Sequence, residues 1–259
     1  MIREKYDSMP GLRRSLLWEM NKSPLHFKYA QEHPEEDSDA LRFGIAAHMA
    51  ILEPERFAEV YQVAPECDRR TKAGKALYED FQSRLEDWQE VLTWEEADRI
   101  VAMKEAFYAD PNVADIISGG FAPEQVYTWT DPETGELMKM KADMVIMKGI
   151  KPFLADYKTA TSCADEAFER SARSYGYKFQ CGMYCEGYFQ NTFEEPGFVF
   201  IAQEKTAPYA CRVYICEPGY IEQGRQIYRR LLDQYHFCKE KDFWPGYGPV
   251  ELLEENYDK

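Results

Sequence analysis

Lys141-Ala-Asp143 and, thirteen residues on, Asp156-Tyr157-Lys158 set two carboxylates and a lysine on what the pattern predicts to be neighbouring β-strands. The apolar residues between Ile150 and Thr159 support a strand, and its two-residue period puts Asp156 and Lys158 on one face and Tyr157 on the other. A hard divalent cation prefers carboxylate oxygens, and a lysine beside it can orient a water or stabilise charge building on phosphorus. This is the arrangement of a metal-dependent phosphodiesterase. Taken alone, Asp-x-Lys is more often a surface cross-strand ion pair, which is common and worth little.

Two further segments change that weighing. Gly44-Ile-Ala-Ala-His48-Met-Ala-Ile-Leu-Glu53 is a run of small and apolar residues that suits a buried helix, with Gly44 and His48 on one face. Gln180-Cys-Gly-Met-Tyr184 repeats the four-residue spacing in a helical stretch predicted from about Ala164 to Gln190. Separately, His48 reads as a hydrogen-bonded core histidine, and Gln180 with Tyr184 as an ordinary helix-surface pair.

In this order, Gly-x-x-x-His, an aspartate on a hairpin strand, Asp-x-Lys and Gln-x-x-x-Tyr resemble the RecB-like branch of the PD-(D/E)XK nuclease superfamily. Ser23-Pro-Leu-His-Phe-Lys-Tyr29, Gly44 to Phe57, Arg70-Thr-Lys-Ala-Gly-Lys75 and Trp129-Thr-Asp-Pro-Glu-Thr-Gly135 look like the RecE (exonuclease VIII) nuclease domain of phages and prophages. The likeness runs from about Tyr6 to about Tyr247. One departure is the approach to the first aspartate, Lys-Ala-Asp143, where a more basic or glycine-containing approach such as Arg-Pro-Asp is expected.

The resemblance implies ligation of a cation by His48, Asp143, Asp156 and the backbone carbonyl of Tyr157, with Glu124 either holding a second ion through water or serving as a strand-end charge. It implies Mg²⁺, with Mn²⁺ as a substitute, and a catalytic set of Asp143, Asp156, Lys158, Gln180 and Tyr184. The implied activity is resection of double-stranded DNA ends, 5′ to 3′, leaving a strand for a single-strand-annealing partner. A homo-oligomeric ring around the duplex comes from the same likeness. A structure-selective or single-strand nuclease of the superfamily stays open, as does a protein that binds DNA or a recombination partner without cutting.

Composition bounds these readings. The chain has 259 residues and suits one nuclease domain, with residues 1–110 mainly helical and residues 120–245 forming a sheet-containing core. It contains no long apolar run and no signal-like N-terminus, which predicts a cytoplasmic protein of a bacterial or phage-infected cell, away from membranes. Seven scattered cysteines match no cluster spacing and read as reduced packing thiols, so no iron–sulfur cluster is expected. No Gly-x-x-x-x-Gly-Lys-Ser/Thr loop occurs, so no ATP is expected either.

The net charge of −15 opposes a DNA enzyme, because phosphate neutralisation supplies most nucleic-acid affinity. Acidic residues concentrate at Glu32–Asp39, Glu86–Asp98 and Glu251–Asp258, however, and basic ones at Arg13-Arg14, at Arg69 to Lys75 and from Lys139 to Lys158. Arg70, Lys72 and Lys75 are therefore candidate DNA contacts, weighed against a solvated loop. Periodicity predicts helices over Pro10–Tyr29, Leu41–Phe57, Ala73–Glu90 and Thr93–Ala109, the last with Thr93 as cap and Glu96 completing a capping box. Strands follow at Glu124–Thr130, Leu137–Met147, Pro152–Thr159, Gly197–Gln203 and Ala210–Cys216, and a last helix from about Pro218 to Lys241. The order implies an α/β fold: a mixed central sheet flanked by helices, behind an N-terminal helical region.

Overall fold

A computed structural model describes residues 3–34 and 38–249. The acidic tail Glu251–Asp258 and part of the acidic loop Glu32–Asp39 lie outside the described residues. The N-terminal part contains α1 (Arg3–Ser8), β1 (Leu12–Arg13), α2 (Arg14–Trp18), α3 (Pro24–Glu32), α4 (Asp39–Leu52), α5 (Pro54–Val60), β2 (Tyr61–Val63), α6 (Lys72–Gln82), β3 (Glu90–Leu92), α7 (Trp94–Ala109) and α8 (Pro111–Ile117). There follow β4 (Phe121–Thr130), β5 (Leu137–Lys148), β6 (Lys151–Ala160), α9 (Asp165–Ser174), α10 (Tyr177–Thr192), β7 (Gly197–Glu204), β8 (Cys211–Cys216) and α11 (Pro218–Lys241).

The central sheet is mixed. It runs β1-β5-β6-β7-β8, with β4 also pairing β5; β4–β5, β5–β6 and β7–β8 are antiparallel, and β1–β5 and β6–β7 parallel. Phe179, Met183 and Tyr188 of α10 and Leu231 and Leu232 of α11 join Leu154, Phe198 and Phe200 in one apolar cluster. Phe107 of α7 and Val113 of α8 join Ala155, Tyr157, Val199 and Ile201 in another. The odd and even residues of β6 and β7 therefore face opposite layers, as strand geometry requires. Among the described residues no helix is long and apolar enough to cross a membrane.

The capping box forms as expected: Thr93 Oγ1 accepts the Glu96 N–H and Glu96 Oε2 accepts the Thr93 N–H. Four predicted helices need correction. Pro10–Tyr29 is broken into β1, α2 and α3, with Ser23 capping α3 and Pro24 starting it. Leu41–Phe57 divides at Glu53, which precedes Pro54 and leaves helical dihedrals. Ala73–Glu90 ends as a helix at Gln82, and Glu90 begins β3, which pairs in parallel with β2. Ala164–Gln190 breaks at Gly176, left-handed at φ +66°, where a Cβ would lie 2.6 Å from the Trp18 indole. Only glycine tolerates both conditions.

Candidate metal centre and its cavity

Helix α4 brings His48 to the sheet because Gly44, one turn earlier, lets it come close to β6. A Cβ on Gly44 would stand 3.3 Å from Thr159 Oγ1. The sheet itself opens at this point. The β5–β6 ladder ends at Met144↔Ala155, one step before Asp143 and Asp156 would pair, and the β4–β5 register omits Glu124 opposite Asp143. Glu124 is held in the left-handed region at φ +55°, a costly conformation for a non-glycine residue and one that collects at functional sites. Alternation breaks there too. Met138, Met140 and Ala142 of β5 pack in the α10 cluster, whereas Met144 and Ile146, also even-numbered, pack in the α7–α8 cluster.

Through this fork in the sheet, groups from both layers meet. His48 Nε2 lies 2.8 Å from Asp143 Oδ2 and Nδ1 lies 3.4 Å from Glu124 Oε1. The Tyr157 N–H donates to Asp143 Oδ2 at 2.9 Å, taking the place of a ladder bond. On the α10 side, Lys158 Nζ pairs with Asp156 Oδ2 at 2.6 Å and donates to Gln180 Oε1 at 3.2 Å, while Gln180 Nε2 donates to Asp156 Oδ1. The Tyr177 ring lies 5.0 Å from Lys158 Nζ. Glu124, Asp156 and Gln180 are buried.

The electrostatics separate the two aspartates. Burial would raise Asp143, but His48, Lys158 and the Tyr157 N–H hold it below the ordinary carboxylate range. Burial pushes Asp156 up and the Asp143 charge adds to it, so Lys158 offsets the rise without cancelling it. Burial alone would lower His48; Asp143, Glu124 and Asp156 together hold it above its usual value. Burial also keeps the Tyr184 phenol well above its normal range, so it remains a proton donor.

His48, Glu124, Asp143, Asp156, Tyr157, Lys158, Gln180 and Tyr184 all line one cavity of about 460 Å³. Arg70, Lys72 and Lys75 do not line it. They lie exposed around the start of α6, where Arg70 pairs with Asp68. Among the described residues, the cations that do line the cavity beside Lys158 are Arg13, Arg14, Arg56 and Lys141. Lys141, bonded to Glu124 Oε2, had a legible signal, being two residues before Asp143 on the same strand. Arg56, paired with Glu53 at 2.8 Å, had none. Lys139 is buried; its Nζ donates to the carbonyls of Tyr6, Asp7 and Met9 at 2.8, 3.1 and 2.6 Å, fastening a segment whose Tyr6 and Asp7 also line the cavity.

Tyr157 acts from the other face of β6. Its ring packs against the His48 imidazole at 5.7 Å and edge-on to Phe107 at 5.4 Å. Its hydroxyl donates to Gln203 Oε1 at 2.6 Å, and the fully buried Gln203 amide donates to the carbonyls of Met103 and Tyr209. One residue thus braces His48 with its ring and Asp143 with its backbone.

The donor set fits a hard divalent cation. One ligand atom each from His48, Glu124 and Asp143 lies within 4.8 Å of the others. Glu124 Oε1 and Asp156 Oδ2 are buried and accept no hydrogen bond, although their ion-pair partners stand near. Buried carboxylate oxygens left in this state gain most from a cation. Asp156 stands outside the three-residue cluster and is engaged by Lys158 and Gln180.

A crystal structure from Eubacterium rectale described as a "Putative exonuclease" aligns over 100% of this chain and 99% of its own, at 14% identity and a TM-score of 0.65, a likeness of fold. The structure of SSO0001 aligns over 93% of this chain and 87% of its own at 12% identity, with a TM-score of 0.35. No curated protein matches the sequence. A family pattern matches residues 14–256, and by it this chain belongs to the PDDEXK-like domain of unknown function family, DUF3799.

Proposed function

We propose that this protein is a divalent-metal-dependent exodeoxyribonuclease that resects double-stranded DNA ends 5′ to 3′, with Mg²⁺ or Mn²⁺ and without ATP. The observation that carries the reading is the convergence of His48–Asp143–Glu124 and Asp156–Lys158–Gln180 in one cavity at the fork of β5 and β6. A surface ion pair has no need of either partner set.

His48, Asp143, Glu124 and Asp156 would hold the cation, which when bound polarises the scissile phosphate and acidifies a water. Lys158 Nζ, aimed by Asp156 and Gln180, donates to the attacking water or to a phosphate oxygen. Gln180 keeps the lysine and aspartate in register, and the Tyr184 phenol donates a hydrogen bond to phosphate. Arg13, Arg14 and Arg56 supply positive charge at the cavity wall, so an acidic protein meets DNA locally. Arg70, Lys72 and Lys75 would touch the duplex beyond the cavity. A homo-oligomeric ring, a single-strand-annealing partner and a cytoplasmic setting complete the proposal.

The test is digestion of duplexes labelled at defined 5′ and 3′ ends, with Mg²⁺ and with chelator, by wild type and Lys158→Ala. Progressive metal-dependent loss from 5′ ends, absent in the variant, is expected. Cleavage confined to single strands would favour the single-strand nuclease reading, and a variant as active as wild type would refute the site.

A further inference from the structure

A second cavity, of about 710 Å³, opens beside the first, within the range of about 300–1,000 Å³ usual for small-ligand sites. The two share Asp7, Ile45, Met49 and Arg56 as lining residues. The second is walled by β2 and β3, a two-stranded parallel sheet apart from the central one. We propose that this cavity seats a nucleobase of the strand whose phosphate lies at Lys158, a proposal that rests on the nuclease reading above.

The lining chemistry selects the base over other parts of a nucleic acid. Tyr61 and Trp88 present aromatic surface, Trp88 being 57% exposed, and the buried Phe43 contributes to the wall. Tyr61 is backed by a stacked Phe57, with centroids 5.0 Å apart, and Phe43 by the Arg99 guanidinium at 4.0 Å. Stacking on such surfaces accepts any base, because every base has a π-face. Glu59 and Glu90 also line the cavity. They repel phosphate, yet their oxygens can accept from the exocyclic amino groups that adenine, cytosine and guanine carry. Arg56 lies in the wall common to both cavities, where a backbone phosphate would pass between them. Carboxylates line both cavities, but Arg13, Arg14, Lys141 and Lys158 join Arg56 to balance them in the first, against Arg42 and Arg56 in the second, so phosphate is directed to the first cavity and base to the second.

A binding cycle tests this. Blunt duplexes carrying a single abasic site at the first, second or third nucleotide from either end are titrated in Ca²⁺ against wild type, Trp88→Ala and Trp88→Phe. On intact duplex Trp88→Ala should bind about tenfold more weakly, the scale of one lost base–aromatic stack. At one position the abasic site should cost wild type a similar factor and cost Trp88→Ala nothing further, and Trp88→Phe should recover most of the affinity. Independent effects at every position, or Trp88→Ala binding like wild type, would overturn the base seat and favour an unrelated peptide or small molecule as occupant. Mg²⁺-dependent digestion by wild type, read in parallel, separates the failures. Cutting without coupling removes only the base seat, whereas no cutting and no binding removes the nuclease reading and the seat with it.

Discussion

Replacing Lys158 by alanine should tighten binding of a divalent cation while cleavage disappears. Lys158 Nζ lies 2.6 Å from Asp156 Oδ2, and this ammonium competes with any cation for that oxygen. Both side chains are mostly withdrawn from water, at 23% and 4% exposure, so the pair is weakly screened. A close, poorly hydrated charge pair couples by about 1.5–3 kcal/mol, and release from it would tighten the cation by roughly 10- to 150-fold. Asp156 is already raised by burial and by Asp143, and losing Lys158 raises it further, so a proton replaces the lysine as competitor at lower pH. Calorimetric titration with Mn²⁺ should accordingly show the gain in alkaline buffer and its erosion as the buffer is made acidic. An affinity unchanged at every pH would mean that Asp156 is no ligand and that His48, Glu124 and Asp143 are the whole protein donor set. A weakened affinity would mean that Lys158 organises the site instead of competing with it.

His48→Gln should raise the Mg²⁺ concentration needed for half-maximal cleavage by about tenfold, as expected for loss of one metal ligand, with little change in urea midpoint; the opposite pattern would make His48 a core residue. Tyr157→Phe and Gln203→Leu should each destabilise the fold by about 1–3 kcal/mol, because each leaves a buried polar partner unsatisfied, and the double variant should cost clearly less than their sum in chemical denaturation. Strict additivity would sever the link between them. Asp131 is held below the ordinary carboxylate range: burial would raise it, but Thr134 and the Arg229 guanidinium, at 2.9 Å, outweigh that. A depressed carboxyl gives stability that is complete above its unfolded pKa, about 3.9, and lost as pH falls through the folded value. Asp131→Asn should therefore cost about 1–2 kcal/mol at neutral pH and flatten the acid limb of the stability profile; an unaltered limb would assign the acid loss elsewhere.

The sequence carried the parts of this fold that obey a period. The apolar run Phe153-Leu154-Ala155 marks Lys151–Ala160 as a strand, whose two-residue period then sets Asp156 with Lys158, and α11 follows its helical pattern from Pro218 to Lys241. What stayed hidden depends on partners distant in sequence. Gly176 reads as one glycine in a long helical stretch until Trp18 is seen beneath it. Strict alternation along β5 places Lys141, Asp143 and Val145 on one face, yet the break opposite Glu124 sends Val145 to the α10 cluster while Lys141 reaches Glu124. The pairing of β2 with β3 needed the tertiary neighbourhood, because three-residue strands carry too little pattern to be read. His48, Asp143, Asp156, Lys158, Gln180 and Tyr184 were legible as separate spacings; that the bonds of Gln180 run to both Asp156 and Lys158 was not.

Asp143 does two jobs at the fork, and this bears on how an inert version of the protein should be made. Its carboxylate substitutes for a missing strand neighbour by accepting the Tyr157 N–H, so Asp143→Ala orphans a backbone donor at about 1–3 kcal/mol besides deleting a ligand. Silence in that variant would confound chemistry with a sprung hairpin. Asp143→Asn keeps an oxygen for the donor while removing the charge, and Lys158→Ala leaves that bond untouched. For trapping a bound duplex these two are the informative choices, and comparing them separates the grip on metal from the integrity of the sheet that carries it.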